Sequence, residues 1–211
     1  MKNNKYCTIY LIRHGETDWN RVERLQGNLP IPLNSAGKKQ ARSIAQLLRG
    51  VKLSAIYSSE ARRAVETAEI IAAKHKLIVN LSKYIKERSY GELVGKTENE
   101  YSGKIKNLLK KYFELTGTKK WWSYRPLEGH ESLLNVEKRM LLFLREVAVA
   151  NIGKNVAVIT HGANIKILLA VLGWVPREDF YKIKVGNTGY IVVKSDGTDI
   201  RITKIIGISK N

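Results

Sequence analysis

The sequence predicts an α/β fold, a mostly parallel sheet with helices on both faces. Three observations predict it. Short runs rich in β-branched and aromatic residues alternate with stretches whose apolar residues recur at helical spacing. Two of those runs, Tyr6–Arg13 and Asn155–Thr160, end alike, each leading into His-Gly. Hydrophobic residues make up 44% and charged residues 27% of 211 residues, which suits one domain with a sizeable core.

Taken in order, Tyr6–Arg13 (YCTIYLIR) reads as a buried strand bounded by Gly15. Ser35 is placed to cap a helix with Ala41, Ile44, Ala45 and Leu48 on one side, ended by Gly50. Ala55–Tyr57 is a short strand. A helix follows with Ala61, Ala64, Ala68, Ile71 and Ala72 on one face, and then a third strand, Leu77–Leu81. Residues 98–115 have a lysine-rich helical pattern, and 117–129 form a loop carrying Trp121, Trp122 and Tyr124. Glu131–Ala150 is a long amphipathic helix, Asn155–Thr160 a buried strand, and a helix runs from Gly162 to Leu172. Tyr190–Val193 and Ile200–Ile206 flank Asp196-Gly197 as a hairpin. No repeat or linker divides the chain, so residues 1–211 read as a single domain, with 96–130 a helical, lid-like insertion.

No apolar run approaches the roughly 20 residues of a membrane span, and no signal peptide is legible, so the expected location is cytoplasmic. One cysteine excludes an internal disulfide and fits a reducing compartment. The charge is unusual: 37 Lys+Arg against 19 Asp+Glu, a formal net of +18. Such a field attracts nucleic acid, anionic membrane or small phosphorylated compounds, and a lysine-rich solvated surface would produce it equally.

The two His-Gly strand ends carry more information. Parallel strands would bring His14 and His161 to one sheet edge, where open α/β sheets bind ligands. Arg13 offers bidentate donors to phosphate oxygens, and the glycines let backbone N–H groups come close to an anion. The helix opening after Gly162 adds its positive end. A neutral imidazole can attack phosphorus, and a neighbouring guanidinium keeps it neutral. Cys7 and Arg13 have the spacing of a cysteine-phosphatase loop, but the intervening residues are strand-like, so Cys7 reads as core. No P-loop, zincin motif or zinc-ligand spacing occurs, and no metal is expected.

These residues resemble the histidine phosphatase superfamily, phosphoglycerate-mutase-like branch. Arg13-His14-Gly15-Glu16-Thr17 with Trp19-Asn20 looks like its signature. "YSSEARRAVETAEII" (57–71), "KERSYGELVGKT" (86–97), "GHES" (129–132) and "VITHGANIKILL" (158–169) follow in the family's order. The resemblance implies that His14 is the nucleophile, that Arg13, Arg63 and His161 clamp the phosphoryl group, and that Glu87 is the general acid and then base. It further implies a phosphate pocket lined by Asn20, Gln26 and Gly27, with contacts from Arg88, Tyr90, Gly162 and Ala163. Arg63, directly before Ala64, matches the family's phosphate-binding arginine; Arg62, turned about 100° away on a helix, reads as a surface cation or a weaker substrate contact. His130 interrupts the Gly-Glu pair of the Gly-Glu-Ser stretch, so that loop is expected to sit differently.

The favoured reaction is phosphomonoester hydrolysis through a phosphohistidine, acting on a small phosphorylated metabolite without cofactor. The alternative is a phosphoglycerate mutase dependent on 2,3-bisphosphoglycerate. "ERSYG" is close to the mutase form, but the mutases' adjacent arginine pair is missing; Lys119, Lys120 and Arg125 are the candidates to replace it. A third reading is a basic nucleic-acid-binding module centred on Lys104–Lys120, which leaves the His-Gly strand ends and Glu87 unexplained.

Overall fold

The computed structural model describes residues 5–116 and 120–210. Within them, β1 (Cys7–Arg13), β2 (Leu53–Ser58), β3 (Val79–Leu81) and β4 (Asn155–Thr160) are mutually parallel. β5 (Ile183–Ser195) pairs antiparallel with β1 and with β6 (Ile200–Lys210), giving one six-stranded sheet in the order β3-β2-β4-β1-β5-β6. The helices are α1 (Asp18–Arg21), α2 (Ser35–Leu47), α3 (Arg62–His75), α4 (Glu98–Thr116), α5 (Leu133–Ala150) and α6 (Gly162–Val171).

The central strands bury side chains on both faces, as the near-continuous apolar runs require. One face packs Ile9, Leu11, Val156 and Val158 against Met140 and Leu144 of α5 and Ile165 and Leu168 of α6. The other packs Ile12, Ile56 and Ile159 against Ile44 of α2 and Ala64, Ala68 and Ile71 of α3. The alanines of α3 let it lie close to the sheet, and this matters below because its first turn carries Arg63. No helix among the described residues is long and apolar enough to cross a membrane.

Three helix starts differ from the sequence reading, and β3 begins at Val79 instead of Leu77. The cap of α2 is Asn34, whose side chain accepts from the Gly37 N–H at 2.8 Å, with Ser35 one residue inside the helix. α3 starts at Arg62, so Ala61 stands outside it as an extended cap residue. α5 starts at Leu133, after Ser132 accepts from Asn135 N at 3.2 Å. The final hairpin is also much longer than expected. β5 begins at Ile183 instead of Tyr190, with a break in register between Val185 and Tyr190, Thr188 taking φ 55°.

Trp121 and Trp122 are buried in the core beside α5. Trp122 Nε1 donates to Glu137 Oε2 at 2.6 Å, and Arg177 lies 4.8 Å over its ring. Trp121 stacks near Phe180, centroids 5.3 Å apart, and reaches the cavity described next.

Candidate active site

β1 and β4 are parallel neighbours with Arg13 opposite Thr160. One residue further on, His14 and His161 therefore stand side by side, ring centroids 5.3 Å apart. Both are buried, and they lie at the carboxyl edge of the sheet beside a 1260 Å³ cavity whose walls include Arg13, His14, Arg63, Glu87 and Arg88.

His14 is held in one tautomer. Its Nδ1 lies 2.7 Å from the Gly15 carbonyl, which can only accept, so Nδ1 carries the proton. Nε2 is left with a lone pair and accepts from Arg63 Nε at 3.1 Å. Burial, then Arg63 and Arg13, holds the imidazole pKa well below its ordinary value. A neutral ring with a directed lone pair beside a guanidinium is the form a nucleophile needs.

The two arginines of the second motif separate cleanly. Arg62 is exposed and pairs with Glu66 at 2.8 Å one turn along α3. Arg63 is 1% exposed, and its guanidinium donates to the Gly27 carbonyl at 2.7 Å and the Leu29 carbonyl at 3.1 Å besides His14. It also lies 3.2 Å from His161 Nδ1. Burial lowers its pKa to about 10, so it is cationic at neutral pH.

Around them, Arg13 donates to the Val185 carbonyl at 2.5 Å, while its Nε is buried with no protein partner. Gln26 is likewise buried with Oε1 unpartnered. Asn20 Oδ1 takes donors from Thr17 and Asn187, leaving its amide nitrogen as the group to offer a ligand. Gly162 and Ala163 line the cavity at the first turn of α6, where helical N–H groups have no intrahelical partner. Two glycines serve differently from expectation. Gly27 is outside the cavity wall and contributes the carbonyl that holds Arg63. Gly15 directs its N–H to Thr67 Oγ1 at 3.1 Å, not to an anion, and a Cβ on it would come 2.5 Å from the Gly37 carbonyl oxygen.

Glu87 faces the histidines, its Oε2 3.7 Å from His161 Nδ1. Burial raises its pKa, opposed by Arg63, the Arg88 N–H, Arg13 and Arg139. His161 is held well below its usual pKa by burial and Arg63, so that contact is a neutral imidazole beside a carboxyl group. Its Nδ1 accepts from Arg63, which places the ring proton on Nε2, donated to Ser59 Oγ at 2.8 Å. Arg88 donates to the Glu131 carbonyl at 2.8 Å and lies 5.7 Å over the Tyr90 ring; both residues line the cavity.

Sequence reasoning missed the supports. Asn187 Nδ2 bridges the His14 carbonyl and Asn20 Oδ1, from the part of β5 that precedes the expected strand. Arg139 grips both Glu131 oxygens at 2.8 and 3.0 Å and reaches Asn164 Oδ1. Asn164 Nδ2 donates to the Ile85 and Lys86 carbonyls, fixing the segment that delivers Glu87. The only signal for these was polarity at positions of helical or strand pattern. Cys7 is core, its thiol pushed up to about 11 by burial. Among the described residues no three of His, Cys, Asp and Glu come together as a metal-ligand set.

The family model for the histidine phosphatase superfamily, branch 1, matches residues 9–206. The chain belongs to the histidine phosphatase superfamily. This histidine phosphatase is 38% identical over 165 residues to phosphoglycerate mutase-like protein 4 of Arabidopsis thaliana, covering 77% of this chain and 70% of that one. It is 31% identical over 186 residues to phosphoserine phosphatase 1 of Hydrogenobacter thermophilus, covering 88% and 85%. Its fold matches the phosphoserine phosphatase of Entamoeba histolytica, solved with 3-phosphoglyceric acid, at a TM-score of 0.80 and 29% identity over 95% and 96% of the two chains. The sequence-level resemblance, the fold class and the assignment as a phosphatase enzyme all hold.

Proposed function

We propose that this histidine phosphatase hydrolyses phosphomonoesters of small metabolites through a phosphohistidine on His14 Nε2. The observation that carries the reading is the fixed tautomer: Nδ1 is tied to Gly15, and the Nε2 lone pair is directed at Arg63 beside the cavity. In the first step that lone pair attacks phosphorus, the bond to the ester oxygen breaks, and Glu87 gives its proton to the leaving oxygen. In the second, ionised Glu87 takes a proton from water, the water oxygen attacks phosphorus, and the P–N bond breaks to restore neutral His14. Arg13, whose Nε is unpartnered, together with Arg63 and His161, stabilises the charge on the phosphoryl oxygens. That charge complement lets the reaction run without a metal or an organic cofactor.

Water is the acceptor in this reading. Of the cations put forward for a second anion site, Lys120 and Arg125 are exposed and neither lines the cavity, while Lys119 lies outside the described residues. Beyond Arg13, Arg63 and Arg88, the cavity wall carries Arg21, Arg24, Lys110, Lys166 and Lys184, with Glu23, Glu98 and Glu178 among them. The lysine-rich stretch Lys104–Lys120, the basis of the nucleic-acid reading, includes Ile105 and Lys110 in the cavity wall, so part of it belongs to the small-molecule site.

The test supplies 3-phosphoglycerate with a trace of 2,3-bisphosphoglycerate and compares 2-phosphoglycerate with free phosphate. Phosphate alone is expected. Isomer forming much faster than phosphate, accelerated by the bisphosphate, makes the protein a mutase.

A further inference from the structure

Beyond the phosphate end lies a smaller chamber of 190 Å³, whose walls include Tyr90, Tyr101, Trp121, Tyr124 and Phe180, with Ile105 of α4. It shares Arg88, Tyr90 and Trp121 with the large cavity, so it adjoins the side on which Glu87 meets the leaving oxygen. A cavity of about 150 Å³ is enough to hold one benzene ring. The chamber therefore has room for a single ring and a small substituent.

Besides Arg88 and the tyrosines, one further polar side chain lines the chamber. His130 is 5% exposed, and neither of its ring nitrogens has a hydrogen-bond partner. A buried polar group left unpaired is destabilising, so an imidazole held this way points to a ligand that completes it. The loop that carries it is fixed by close backbone packing. Gly91 at φ 51° and Gly129 at φ 71° lie against each other, and a Cβ on Gly91 would come 2.0 Å from the Glu128 carbonyl oxygen. Tyr90 and His130 form an isolated antiparallel bridge, and Ser89 Oγ donates to the Gly129 carbonyl at 2.7 Å. Burial and Arg88 lower the His130 pKa to about 4, so the ring is neutral.

We propose that this chamber is the leaving-group subsite, selecting monoesters of alcohols that carry a single ring, with His130 hydrogen-bonded to a hydroxyl on that ring. The proposal rests on the phosphatase reading and adds its substrate class. The aromatic walls supply face and edge contacts to a ring, and Arg88 over Tyr90 stiffens the passage between phosphate and chamber. A short acyclic alcohol would leave the chamber empty and His130 unpaired.

The test measures kcat/KM for ethyl phosphate, 2-phenylethyl phosphate and 2-(4-hydroxyphenyl)ethyl phosphate, whose leaving alcohols are all primary alkyl, so that the rest of the alcohol is the main variable. Burying the ring should raise kcat/KM about 10- to 100-fold over ethyl phosphate, and the hydroxyl should add about 3- to 10-fold. In His130→Ala the hydroxyl increment should vanish while the ring increment persists. In Ile105→Trp, which fills the chamber from α4, the ring increment should collapse. Equal kcat/KM for all three esters in the native protein overturns the proposal, as does an unchanged hydroxyl increment in His130→Ala. Phosphohistidine formed from ethyl phosphate in these same samples keeps the phosphatase reading standing when the subsite fails; no phosphohistidine from any ester means the phosphatase reading itself has failed.

Discussion

The two ends of the cavity are built on opposite principles. At the sheet edge every charged group is clamped: Arg63 by two carbonyls, Arg13 by Val185, His14 by Gly15, and Glu87 by a segment that Asn164 and Arg139 hold in place. At the other end the walls are mostly aromatic, and the buried ring of His130 has no hydrogen-bond partner. Rigid charge suits a step common to all phosphate esters, because donors that need not reorganise stabilise developing charge best. An apolar chamber suits discrimination among alcohols, where each ring or methylene contributes through burial. Damage at the first end should reduce turnover of every substrate alike, and damage at the second should alter only their ranking.

The largest expected loss is at His14. His14→Ala should lower kcat by about four orders of magnitude or more for any ester, as loss of the nucleophile does in covalent catalysis. Substantial activity in that variant, measured against all three esters above, would show that the nucleophile lies elsewhere.

Glu87→Gln should cost about 10²–10⁴-fold in kcat. Its pH behaviour adds a sharper reading. The raised pKa keeps the carboxyl protonated to higher pH than an ordinary glutamate, so phosphorylation of His14 runs well below that pKa and slows as pH rises through it. Glu87→Gln should abolish this limb in the pre-steady-state rate. His14 adds no limb near its ordinary pKa, since its protonation is displaced well below it. An unchanged pH profile in Glu87→Gln would remove it as the acid.

Arg63→Ala should cost about 30- to 1,000-fold in kcat/KM, roughly 2–4 kcal/mol of charge-assisted contact to the transition state. Arg62→Ala, next along the chain but on the solvent side, should change it less than about twofold, since its exposed pair with Glu66 is worth little. Equal effects would contradict the geometry. Smallest of all, Lys120→Ala and Arg125→Ala should leave 3-phosphoglycerate hydrolysis within about twofold, because surface substitutions away from a site act weakly.

Much of the rigid end was legible in the sequence. Two apolar runs each ending in His-Gly could meet only if their strands were parallel neighbours, and the register of Arg13 with Thr160 makes them so. The separation of Arg62 from Arg63 followed from the turn of a helix and is observed. What stayed hidden depended on contacts distant along the chain. Gly15 was read as opening its N–H to an anion, whereas its small size is needed against Gly37 and its N–H meets Thr67. Asn187 reaches His14 from 173 residues away, in the part of β5 that lies before the expected strand. The chamber was harder still: Tyr90, Tyr101, Trp121, Tyr124 and Phe180 come from four separate segments, and no local pattern marks them as neighbours.

The central claim is that phosphate passes to water through Nε2 of His14, and nitrogen-resolved NMR of the trapped intermediate tests it most directly. Protein labelled with ¹⁵N in histidine is loaded from a slowly hydrolysed ester in Glu87→Gln, and the ³¹P–¹⁵N coupling identifies the bonded nitrogen. A single phosphohistidine at position 14, bonded through Nε2 and decaying to free phosphate, is the expected result. A phosphoryl group on Nδ1 of His14, on His161, or on an oxygen or sulfur nucleophile would contradict it.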